Sequence, residues 1–159
     1  MPEITLLGWF HTAIGILALI SGAYTIVRSG FIDSIARSGQ IYLWCTLIAA
    51  ASALGIYNQG GFNVAHILAI LTLLALGVGW LAERNQLFGG LSKYVQAISY
   101  SATFLFHMIP AITDGLRRLP VGDPIVTEID DPLLRGFYLA FLAAYIVGVI
   151  VQLLVLRKN

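Results

Sequence analysis

Five apolar stretches, 6–27, 41–57, 63–82, 94–112 and 133–156, contain no aspartate or glutamate, and Arg135 is their only charge. A helix needs about 20 apolar residues to cross a bilayer, and backbone groups in lipid must be satisfied within the helix. That constraint leaves little freedom. The chain reads as a single all-α membrane domain, 1–159, a bundle of five transmembrane helices joined by short loops and one longer outer-side segment, 113–132. Of its 159 residues 58% are hydrophobic and only 11% charged. Soluble domains carry roughly 25% charged residues. A net charge of +1 without a basic stripe excludes a nucleic-acid binder. The single cysteine, Cys45, sits in an apolar run as a small packing residue. Met1 to Thr5 holds no basic residue and the apolar run after it is long, so the expectation is a retained first helix, not a cleaved signal.

One helix differs from the others. In Tyr94 to Ile112, Gln96, Tyr100, Thr103 and His107 recur at i, i+4, i+7 and i+11 and form one polar stripe. Polar groups at such depth turn towards the bundle interior, which makes this the central helix. Small residues mark other contact faces: His11, Gly15, Ala18 and Gly22 on the first helix, Cys45, Ala49 and Ser52 on the second. His66, Ala69, Leu73 and Gly77 share a face on the third, and Gly136, Ala140, Ala144 and Gly148 make a seam on the fifth. Between the first two helices Asp33 and Arg37 are spaced to pair at i, i+4. Tyr57-Asn58-Gln59-Gly60-Gly61 reads as a turn, and Pro110 as a bend near the end of the fourth helix.

Charge bias sets the expected orientation. Arg28, Arg37, Arg84, Lys93, Arg157 and Lys158 lie on one side, against Arg117, Arg118 and Arg135 on the other. The richer side is cytoplasmic, which places the N-terminus outside and the C-terminus inside a bacterial inner membrane. On that topology His11, His66 and His107, the chain's three histidines, all fall near the outer face.

Neutral imidazole binds zinc, copper and haem iron. Three imidazoles make an open transition-metal site, with Asp114 or Glu3 as a fourth group. Alternatively His66 and His107 ligate one haem b axially, with Gly15 and Gly77 leaving room for the ring and Arg117 or Arg118 meeting the propionates. Each histidine has a plain structural reading as well, an interfacial polar group near a helix end bonded to a carbonyl or to water. The stripe could likewise tie helices together, line a quinone or lipid-head pocket, or relay protons to His107. No HExxH, phosphate loop or acidic pair supports an enzyme. Two functional readings follow: a redox accessory protein holding haem or a metal near its outer face, and a cofactor-free accessory subunit or assembly factor that packs on a larger complex or on itself.

The opening WFHTAIGILALISGAY, with His11, and the ARSGQIY entry to the second helix, with Arg37, Gly39 and Tyr42, carry a resemblance. Over its first half the chain resembles an uncharacterised family of small bacterial multi-helix membrane proteins of unknown function. Ile35-Ala36 stand where that family's pattern has a histidine, and the second half departs from it. The resemblance implies a helical bundle and no particular activity. Histidines at one level also look like those of b-type cytochrome subunits, which often carry a second set at the other face.

Overall fold

The computed structural model describes residues 4–57 and 61–158. Five α-helices follow one another, α1 (Leu6–Ser29), α2 (Arg37–Ala53), α3 (Val64–Asn85), α4 (Ser92–Arg118) and α5 (Pro132–Lys158), with one short 3-10 turn at Gly89–Leu91 before α4. There is no strand among the described residues. Four helices, α1, α3, α5 and the α4 segment, are long and apolar enough to cross a membrane, so the chain is a multi-pass membrane protein. The second helix, with 17 residues, is the shortest.

Successive helices run antiparallel, as the contacts show. His11, early in α1, meets Ala49 and Ser52 late in α2, while Gly22 of α1 lies against Tyr42. Tyr100 of α4 reaches Glu83 at the far end of α3, and Ser101 of α4 bonds Gln152 of α5. α4 contacts all four other helices, or links to them by hydrogen bonds. Its Tyr100 and Thr103 are buried, Gln96 and His107 partly so, so the polar stripe does face inward. The core around it comprises Ala18, Tyr42, Leu76 and Tyr100.

Several local expectations are corrected. Asp33 does not pair with Arg37 in an ion pair; its carboxylate accepts the backbone N–H groups of Ile35 and Ala36, and the chain enters α2 at Arg37, four residues before the expected start. Gly39 is required there, because a Cβ would stand 1.7 Å from the Asp33 carbonyl oxygen. The fourth helix does not stop at Ile112; it runs through Pro110 to Arg118, so the connection to α5 shrinks to 119–131. That segment folds back: Val126 N–H donates to Leu116 O, Ile125 N–H to Leu119 O, and the Val126 side chain is buried.

Two contact faces also differ. On α3 the buried positions are His66, Ala69, Thr72, Leu76, Gly79 and Ala82, so Leu73 and Gly77 fall outside the face assigned to them. Steps of three and four keep the left-turning contact line on α4; repeated steps of four drift off it. On α5 the inward line is Leu134, Tyr138, Tyr145 and Gln152, whereas Gly136, Ala140 and Ala144 are exposed and Gly148 half-buried. This helix has one principal neighbour, α4, and its larger side chains fill that contact. Most of the small-residue seam looks outward.

Candidate functional site

α2 is a ladder between α1 and α4. Tyr42, Thr46, Ala49 and Ser52 follow at helical spacing, and each meets a polar group of another helix or supports one. Thr103 donates to the Tyr100 carbonyl at 2.7 Å, so the Tyr42 hydroxyl, 2.6 Å away, donates to Thr103 Oγ1. One turn further, His107 Nε2 lies 3.1 Å from Thr46 Oγ1. The next turn receives His11, whose Nδ1 is 3.0 Å from the Ala49 carbonyl and 3.2 Å from Ser52 Oγ. Ser52 gives its own proton to Ala49 O at 2.9 Å. Both contacts of His11 are then satisfied by hydrogen on Nδ1, which leaves the lone pair on Nε2.

His11 and His107 therefore grip consecutive turns of α2 from two sides. Neither His11 Nε2 nor His107 Nδ1 has a hydrogen-bond partner among the described residues. Each ring is tolerated in an apolar bundle because its other nitrogen finds a partner across the helix contact.

The third histidine does not join them in one metal group. His66 sits at the start of α3, where its Nδ1 is held by Asn63 in a capping box. Tyr57 lies on one side, ring centroids 4.7 Å apart, and Phe62 on the other at 5.2 Å. All three histidines occupy the same end of the bundle, but among the described residues no three side chains of His, Cys, Asp or Glu gather to hold a metal ion. The expected set of His11, His66, His107 and Asp114 is thus not assembled. Asp114 is tied to Arg118 at 3.8 Å, one turn along its own helix, and Glu3 lies outside the described residues, as does most of the Tyr57–Gly61 turn.

The remaining expected haem contacts are elsewhere too. A Cβ at Gly15 or Gly77 would meet nothing within 4 Å, so neither is a site of close approach. The glycines that admit a ring are Gly22 and Gly79, where a Cβ would lie 2.6 Å from Tyr42 and 2.4 Å from Tyr100. Both rings are the protein's own. Arg117 Nε donates to the Thr127 carbonyl at 3.3 Å and fastens the 119–131 segment.

A second polar cluster lies at the opposite end. Glu83 accepts from the Tyr100 hydroxyl at 2.8 Å and from Ser34 of the α1–α2 connection. Gln152 accepts from Ser101 and donates to the Gly30 carbonyl, both at 2.9 Å, which pins α5 to α4 and to the end of α1. Sequence spacing signals Tyr100 but not its partner, since Glu83 falls one residue beyond the expected third helix, 63–82. Comparison with family models, with curated proteins and with solved structures finds no match.

Proposed function

We propose that the chain is a cofactor-free accessory subunit of a larger membrane assembly, joined to its partner through the outward face of α5. The observation that carries this reading is the exposure of the Gly136, Ala140 and Ala144 seam. In lipid, helices gain little from burying apolar side chains against each other, and small residues give association its close packing. Only 6% of the α5 span is buried within the bundle, the least of the four spans. On this reading His11 and His107 are struts that hold the bundle together, and His66 caps the start of α3. The test is the size of the complex released from the native membrane by a mild detergent. The wild type should migrate well above one 17.2 kDa chain in its micelle, and Ala144→Leu should migrate as the chain alone. Equal migration of both would contradict the proposal.

A second reading rests on one specific observation. His11 and His107 each have one ring nitrogen oriented by α2 and the other without a partner among the described residues. Metal-bound imidazoles are oriented in this manner. The pair would then ligate copper or the iron of haem b in a redox role near the outer face; zinc would suit the same nitrogens but supplies no redox chemistry. The visible spectrum and elemental content of the purified protein separate the readings. Haem or metal near one per chain, lost in His107→Ala, would favour the second; a colourless, metal-free protein favours the first.

Both readings share a topology, N-terminus outside and C-terminus inside a bacterial inner membrane, argued from the six basic residues on one side against three on the other. A C-terminal reporter active only outside the cytoplasm would overturn it.

A further inference from the structure

His66 is buried to 1% exposure, yet half of its ring chemistry is unused. The backbone N–H of Asn63 donates to His66 Nδ1 at 3.3 Å, and that amide has no other acceptor among the described residues. Asn63 Oδ1, which accepts the Ala65 N–H at 2.9 Å, is also 3.2 Å from Nδ1, but a proton on Nδ1 would face the Asn63 N–H and leave that amide without an acceptor. With Nδ1 serving as acceptor, the proton of the neutral ring belongs on Nε2. That nitrogen is fully enclosed and has no partner among the described residues. Buried N–H donors are almost always paired, so an enclosed donor without an acceptor points to one that comes from elsewhere.

The surroundings specify what could supply it. Tyr57 and Phe62 cover the two faces of the imidazole at 4.7 and 5.2 Å, at interplanar angles of 38° and 29°. Both are more than half exposed, at 57% and 62%. Val64, Ile67, Ile70, Leu71 and Leu74 continue an exposed apolar surface from this box along α3. Nε2 is enclosed, so an occupant reaches it only by displacing a covering side chain, and Tyr57 and Phe62 are the exposed side chains beside the ring. The occupant must therefore carry an acceptor oxygen, stack on an aromatic ring and have an apolar tail.

We propose that His66 Nε2–H is the hydrogen-bond donor of a binding site for a carbonyl-bearing, membrane-soluble molecule, a quinone head group resting on Tyr57 or Phe62. Phospholipid esters offer the same acceptor, and the experiment separates the two sources. The site is independent of the α5 seam and of the His11–His107 pair.

The test uses the full chain, with 15N-labelled histidine, in nanodiscs of ether-linked or ester-linked phospholipid, titrated with decylubiquinone. His66→Phe identifies the His66 signals; should that variant not fold, subtraction with His11→Gln and His107→Gln identifies them instead. The expected result is an Nε2–H ring whose resonance moves saturably with decylubiquinone in ether-linked discs. A resonance that differs between ester- and ether-linked discs and ignores decylubiquinone would assign the acceptor to the lipid ester, within the same site chemistry. A ring protonated on Nδ1, or an Nε2–H indifferent to both lipid linkage and quinone, would overturn the proposal.

Discussion

The ring of Tyr42 fills the space in which a side chain at Gly22 would begin. A Cβ at that position would lie 2.6 Å from Tyr42 Cδ2 and 2.9 Å from Phe104 Cδ2. Tyr42 is fully buried and donates to Thr103, so its ring cannot retreat without losing that bond. Here α1, α2 and α4 meet, and the packing depends on the missing methyl group.

Gly22→Ala should therefore destabilise the bundle, by about 1–3 kcal/mol if it behaves like other overpacked cores. Gly15→Ala, two face positions earlier with nothing within 4 Å, should be neutral or stabilising by up to ~1 kcal/mol, because alanine is the better helix former. Thermal unfolding of the two variants in one detergent checks the ordering, and equal midpoints would place Tyr42 elsewhere.

The hydrogen bond between His107 and Thr46 should behave as an interhelical strut. A double-mutant cycle with His107→Phe and Thr46→Val isolates the pair. Coupling should be about 0.6 kcal/mol and no more than ~1.7, the range for side-chain bonds between membrane helices. Additive effects within error would show that the two side chains do not share a bond.

Gln152→Leu should loosen α5. The substitution leaves both the Ser101 hydroxyl and the Gly30 carbonyl without their partner; Ser101 is buried, and a buried group left unpaired costs about 1–3 kcal/mol, whereas Gly30 is exposed and adds little. Gln152→Glu keeps the acceptor for Ser101 but loses the donor to Gly30 and should lie between. Proteolysis of the 119–131 connection in detergent is a suitable measure, with faster release of α5 expected for the leucine variant.

The central helix was legible because lipid makes its polar stripe expensive unless it turns inward, and Tyr100 and Thr103 are indeed buried. The close contact at Gly22 followed from the same reasoning about small residues. On α3 the reasoning slipped: Gly77 and Gly79 are equally small, and only the phase of the contact line on α4 selects Gly79. The capping role of His66 was readable in Asn63 three residues earlier, a spacing that satisfies two backbone donors at a helix start. Attention to a shared membrane level hid it, since depth alone does not bring side chains on different helices together. The α5 seam illustrates a different limit. Small-residue spacing tells that a helix can be approached closely, without telling whether the approaching helix belongs to the same chain.

A photo-crosslinking amino acid at position 144 in the intact membrane reports whether the α5 seam meets a partner protein. Ile146, which is 48% exposed and off the seam, provides the lipid-facing comparison. The account predicts a covalent adduct with a second polypeptide from position 144 and none from position 146. Lipid adducts alone from both positions would show that the outward face of α5 meets only the bilayer, and would contradict it.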